Sequence, residues 1–137
     1  MAEKYKKVYA VDFDGTLCRG TRFPKIGTPN FYLFEFLKEK QKEGDIIILW
    51  TCREKKLLEE AVEFCEKFGL RFDYINENTK ENIEKYGNNT RKVFAHYYID
   101  DKNMTINDLK VKEEGLDPVI WERACRETPL GKEIRIF

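Results

Sequence analysis

The residues of this chain best suited to chemistry are acids that directly follow apolar runs. Asp12 and Asp14 stand in Asp12-Phe13-Asp14-Gly15-Thr16, immediately after Val8-Tyr9-Ala10-Val11. Asp100 and Asp101 follow Tyr98-Ile99 in the same way. A turn at Gly15 is able to bring Asp12 and Asp14 towards one cavity. Four neighbouring carboxylates repel one another and are tolerable around a divalent cation, and oxygen-only donors favour magnesium or manganese over zinc. Asp12, Asp14, Asp100 and Asp101 are therefore the candidate ligands of a Mg2+ cofactor.

Magnesium held by two or three carboxylates keeps room for a phosphate oxygen, and Thr51, Arg53 and Lys92 offer donors to the remaining oxygens. Such an assembly suits phosphoryl transfer. One carboxylate attacks phosphorus to form an aspartyl-phosphate, while another protonates the leaving oxygen and later deprotonates water. Asp12 and Asp14 are the candidates for these roles, with Thr51 and Lys92 beside them. Gly15, Thr16, Cys52 and Arg53 are the expected substrate-binding positions. For Arg53 a surface salt bridge is an equal alternative to a phosphate or substrate contact.

The elements that must position these residues are legible in the apolar spacing. Val8 to Val11 reads as a buried strand feeding a polar turn. Thr28-Pro29 supplies an N-cap and a proline at the first helical position, followed by Phe31, Phe34 and Leu37 on one face until Gly44. Ile46 to Trp50 is short and rich in β-branched residues, as a strand buried on both faces should be, and it ends at Thr51-Cys52-Arg53. From Glu54, the spacing of Leu58, Ala61, Val62 and Cys65 predicts a helix that Gly69 caps.

Phe72 to Ile75 predicts a third strand. Asn76-Glu77-Asn78 opens a polar stretch reaching about Arg91, with Ile83 and Tyr86 as anchors of a short turn, and the Asn-rich turn itself is a candidate for substrate contact. Val93 to Ile99 predicts the last main strand, with His96 as a buried, satisfied histidine inside it. In the tail, Pro118 to Cys125 reads as a short helix anchored by Val119 and Trp121. Lys132 to Phe137 is either an edge strand or disordered.

Strands and helices in alternation imply right-handed crossovers and a parallel sheet. The expected fold class is α/β, a single Rossmann-like three-layer domain with a central parallel sheet and helices on both faces. In such sheets ligands bind beyond the carboxyl ends of the strands, where all the candidate residues would gather.

The chain has 137 residues, the length of one domain, here taken as 1–137. Its 42% hydrophobic and 36% charged residues, with 25 Lys+Arg against 25 Asp+Glu, describe a globular protein without the basic excess usual in a nucleic-acid binder. Runs such as Ile46 to Trp50 fall far short of the roughly 20 apolar residues a membrane helix needs, and Met1 to Lys7 leads into no signal core. A cytoplasmic protein is expected. Cys18, Cys52, Cys65 and Cys125 form no close pair, so they read as reduced thiols, mostly buried, with Cys52 a small core residue.

Asp12-Phe13-Asp14-Gly15-Thr16 resembles the first motif of the haloacid dehalogenase superfamily of phosphohydrolases. Thr51 after an apolar strand is similar to that superfamily's second motif, Lys92 to its third, and Asp100-Asp101 to its fourth. The motifs occur in order over positions 12 to 101. The resemblance implies that Asp12 is the nucleophile, Asp14 the general acid and base, and Thr51 and Lys92 the phosphate clamps. It makes Asp100 a metal ligand with Asp101 nearby, and adds a contact from the Asp14 main-chain carbonyl to magnesium. Arg91 adjoins Lys92, but the interval from Lys92 to Asp100 spans one strand and favours Lys92, although Val93 departs from the proline common after that lysine. An acid at position 14 is characteristic of the superfamily's phosphatases and phosphotransferases, whereas its dehalogenases lack it.

Members of the superfamily usually insert a cap domain after the first motif or between the second and third. Positions 17 to 45 and 54 to 91 are too short for a large cap, so the chain resembles the capless subclass. An open site follows unless a homo-oligomer partner covers it. The expected function is a magnesium-dependent phosphomonoester hydrolase acting on a small phosphorylated substrate; a phosphoprotein or a nucleic-acid end is a less supported partner. The rival is a phosphate-binding signalling or scaffold module with little catalysis. Receiver domains also set acids, a threonine and a lysine on a parallel sheet, but they carry the acid pair at the first strand and the phosphoacceptor on a middle one.

Overall fold

A computed structural model describes residues 6–105 together with Val119, Glu122, Arg123 and Arg126. The chain divides into two compact units, Met1–Lys102 and Asn103–Phe137. The first holds β1 (Val8–Val11), β2 (Cys18–Arg19), β3 (Thr28–Pro29), α1 (Phe31–Lys42), β4 (Ile46–Leu49), α2 (Lys55–Lys67), β5 (Tyr74–Ile75), α3 (Lys80–Tyr86) and β6 (Tyr97–Ile99). In the second, Val119, Glu122, Arg123 and Arg126 are helical, in keeping with the helix expected over Pro118 to Cys125, but Val119 is exposed instead of anchoring it. Trp121, Cys125 and the tail Lys132 to Phe137, expected as an edge strand or disordered, lie outside the described residues.

The central sheet runs β5-β4-β1-β6 with every neighbouring pair parallel. Val8 to Val11 pair with Ile46 to Leu49 on one side, and Tyr9 to Val11 with Tyr97 to Ile99 on the other. The chain steps outward from β1 through β4 to β5, then crosses back to β6. The carboxyl end of β1 thus sits where the strand order reverses, the usual place for a ligand in an open α/β sheet. This is the expected Rossmann-like α/β architecture.

Alternation along each strand sorts the core into two faces. Tyr9, Val11, Ile47 and Leu49 face Phe34 and Leu37 of α1 and Ala61 and Cys65 of α2. Val8, Ala10 and Ile48 face the other way, against Val93 and Ala95. Both long helices lie on one face because both follow outward steps in the same direction. The other face is covered by the connection between β5 and β6. Among the described residues no helix is long and apolar enough to cross a membrane.

Several local expectations change. Thr28-Pro29 does not start the helix: it pairs antiparallel with Cys18-Arg19 in a small hairpin, and Asn30 is the N-cap, its Oδ1 accepting from Leu33 N at 3.4 Å. Asn30 Nδ2 also donates to the Thr16 carbonyl at 3.1 Å, a second role that threonine at position 28 could not fill. The third strand shortens to Tyr74–Ile75 and the last to Tyr97–Ile99. The latter begins late because Val93 and Ala95 pack onto the sheet's face instead of extending its edge.

The polar stretch after β5 forms α3, capped by Thr79, with no buried residue, and Tyr86 is exposed instead of anchoring it. It is organised by Asn78, fully buried. Its Nδ2 donates to Asn89 Oδ1 and the Thr90 carbonyl, while its Oδ1 accepts from Phe94 N at 2.7 Å. Asn78 is thus structural. His96 is half-buried and satisfied as expected, its Nδ1 accepting from Val8 N at 2.9 Å.

Candidate functional site

β1 ends by handing its ladder to a tight turn. Asp12 N still bonds the Ile99 carbonyl at 2.9 Å, but the next carbonyl, that of Phe13, accepts from the amides of Thr16, Leu17 and Cys18. Phe13 and Leu17 are fully buried and pin the turn into the core. Gly15 sits at φ +81°, a conformation costly for any residue with a Cβ. A methyl group there would run into the Asp101 carboxylate, so Gly15 also makes room for the second acid pair.

Three of the four predicted acids come together. One carboxylate oxygen each from Asp12, Asp100 and Asp101 lie within 4.8 Å of one another, and among the described residues this is the group that could hold a metal ion. Thr16 joins the two strand ends. Its hydroxyl donates to Asp12 Oδ2 at 3.0 Å and accepts from Asp101 N at 3.0 Å. Thr16 is buried and spends its hydroxyl on these two bonds, so its role is to align the acids and not, as expected, to contact substrate. Asp100 and Asp101 themselves are exposed; Lys102 N caps Asp100 Oδ1 at 2.9 Å, and the Lys102 ammonium is 3.4 Å from Asp101 Oδ2.

Burial raises the Asp12 carboxyl from the ordinary 3.8 to about 6, with Asp100 and Asp101 adding repulsion and the Thr16 hydroxyl opposing the rise. A half-buried acid facing two others is harder to ionise than a free carboxyl, and a cation placed among the three relieves that cost.

Asp14, predicted as a further metal ligand, turns its side chain elsewhere. Arg53 forks onto it, Nε to Oδ2 at 2.9 Å and one terminal nitrogen to Oδ1 at 2.7 Å. Neither expectation for Arg53 holds as stated: its guanidinium is committed to Asp14 instead of a substrate, and the ion pair is buried instead of on the surface, with Arg53 1% exposed. Its guanidinium lies 4.9 Å from the Phe13 ring centroid and 5.1 Å from that of Phe23. It donates further to the carbonyls of Leu57 and Pro24, so no buried charge is left unpaired. Phe23 and Pro24 carry no signal in the sequence that would have placed them here.

Thr51 lies beyond the end of β4. Its amide donates to Asn76 Oδ1 at 2.8 Å and its hydroxyl accepts from Arg53 N at 3.1 Å, leaving the hydroxyl proton free to donate. Asn76 holds φ +53°, which asparagine tolerates better than most residues, and closes the edge of β4 and β5 as a structural residue. Lys92 is exposed with its ammonium 5.5 Å from the centroid of the Tyr98 ring, and it forms no ion pair with Asp12, Asp14, Asp100 or Asp101. Cys52 is exposed, not buried, whereas Cys18 and Cys65 are buried free thiols.

A small parallel α/β domain with three carboxylates converging at the carboxyl end of its central strand is the class that fold and site define. No protein-family model matches the chain, and no curated protein matches it. Among solved structures, a conserved protein from Bacteroides thetaiotaomicron is similar, with 34% identity over 92% of this chain and 95% of that one, at a TM-score of 0.63. The chain belongs to the family of that conserved protein.

Proposed function

We propose that this protein is a magnesium-dependent phosphomonoester hydrolase that works through an aspartyl-phosphate on Asp12. The observation that carries the reading is the convergence of Asp12, Asp100 and Asp101 oxygens within 4.8 Å at the switch point of a parallel sheet. All three donors are hard oxygens, and their mutual repulsion is relieved by a small divalent cation, so the set fits magnesium. Bound there, the cation supplies charge neutralisation for the phosphate approaching the acids.

Asp12 attacks phosphorus; the bond from phosphorus to the leaving oxygen breaks and that oxygen keeps the electron pair. Asp14 is the proposed proton donor, acting in its protonated form from a carboxyl edge that the Arg53 fork leaves open. Water then attacks the phosphoryl group on Asp12, giving its proton to Asp14 and releasing phosphate. Thr51 Oγ1 and the Lys92 ammonium are the proposed donors to the phosphate oxygens. Lys92 must swing from the Tyr98 ring to act, which a long exposed side chain readily does.

Hydrolysis of nitrophenyl phosphate by wild type and Asp12→Asn, with and without magnesium, tests the reading. Magnesium-dependent turnover that vanishes in Asp12→Asn is the expected result. Full activity in Asp12→Asn would remove Asp12 as nucleophile. Magnesium binding without turnover would favour a phosphate-binding signalling or scaffold module instead.

A further inference from the structure

Arg53 is a large, charged side chain that is almost completely buried, and neither the proposed metal binding nor the proposed phosphate binding uses it. Burying a guanidinium is costly unless every donor is matched, and here the matching is specific. Both oxygens of Asp14 receive the fork at 2.9 and 2.7 Å. The terminal nitrogen that reaches Asp14 Oδ1 also reaches the Pro24 carbonyl at 2.9 Å. The Phe23 ring lies against the same guanidinium, yet is itself 57% exposed. Phe23 and Pro24 belong to the segment joining β2 to β3. One buried cation therefore ties that exposed segment to the acid two positions after the proposed nucleophile.

We infer that Arg53 is a positioning residue that sets the direction of the Asp14 carboxylate and couples it to the segment between β2 and β3. A carboxylate offers about four lone-pair sites, and a fork that takes two of them leaves the others open to the reacting oxygen or water. Lysine carries the same charge but no planar fork, so it would hold Asp14 without fixing its orientation. Displacement of Phe23 or Pro24, as by a substrate resting against the exposed ring, is transmitted to Asp14 through the shared nitrogen.

The inference rests on the phosphatase reading for its kinetic readout and is tested by a double-mutant cycle with nitrophenyl phosphate. Arg53→Lys is expected to lower kcat roughly ten- to hundredfold with little change in KM, the usual cost of a misdirected group. In the Asp14→Asn background the same substitution should change kcat by less than about threefold, because the group that Arg53 directs is already gone. Phe23→Ala, at an exposed position, should reproduce the pattern more weakly. Equal losses in both backgrounds would overturn the positioning role and leave Arg53 a purely structural residue. Hydrogen exchange of the segment between β2 and β3 supplies a readout independent of turnover: Asp14→Asn should speed it. Unchanged exchange would overturn the coupling even in an active enzyme, whereas absence of wild-type turnover would overturn the phosphatase reading.

Discussion

The Thr16 hydroxyl donates to Asp12 Oδ2 and accepts from Asp101 N, both at 3.0 Å, so one buried oxygen aligns acids from two separate strand ends. Replacing it with valine keeps the shape and removes both bonds. Thr16→Val should cost about 1–3 kcal/mol of stability, because the Asp101 amide loses its acceptor. Thr16→Ser should recover most of it. Urea melts of the three proteins check this, and identical midpoints would show that the bridge is dispensable.

Asp12 carries a pH prediction with a definite sign. Its carboxyl stands at about 6 in the folded protein against an ordinary 3.8, so the folded state prefers the protonated form. Stability contributed by this group is fully present below about pH 4 and declines as pH rises towards about 6. A bound cation needs the ionised form and offsets that loss. The rise in melting temperature on adding magnesium should therefore be larger at about pH 7.5 than at about pH 5. An equal rise at both would place magnesium away from Asp12.

Gly15 combines a left-handed backbone with the closest approach of Asp101. Gly15→Ala should destabilise the fold by roughly 1–2 kcal/mol through φ alone. It should also displace the Asp101 carboxylate, weakening magnesium binding relative to wild type. A magnesium titration followed by melting temperature reads both effects, and unchanged affinity would exclude Asp101 from the metal site.

Cysteine exposure divides the thiols. Burial pushes the Cys65 thiol up to about 12, whereas Cys52 is exposed beside Thr51. Iodoacetamide should label Cys52 in the native protein, and Cys18 and Cys65 only after unfolding. Peptide mapping by mass spectrometry distinguishes them. Native labelling of Cys65 would mean that the face of the sheet under α2 opens readily.

The strand ends and their acids were legible because they rest on local pattern. An apolar run that stops at Asp12 or at Asp100 marks a strand reaching the sheet's edge, and the helical stripe from Leu58 to Cys65 marks the face of α2 that packs. The order of elements then implied a parallel sheet. Where two local signals compete, tertiary pairing decides: Thr28-Pro29 looks like a helix start, yet Cys18 and Arg19 claim it as a strand partner and Asn30 takes the cap. Val93 and Ala95 have the composition of a strand, but their burial comes from packing on the sheet's face.

By itself, the sequence determined the main helices and strands, the parallel fold and which acids stand at the carboxyl edge, because apolar spacing and turn chemistry act over a few residues. Only the tertiary structure decided how those acids are used. Asp14 leaves the acid cluster for Arg53, 39 positions away, and Thr16 reaches Asp101 across 85. Such partners depend on strand register and on the burial of Phe13 and Leu17, which aim the turn. A side chain's direction at a strand end is set by what the assembled core leaves open to it, and no local pattern carries that information.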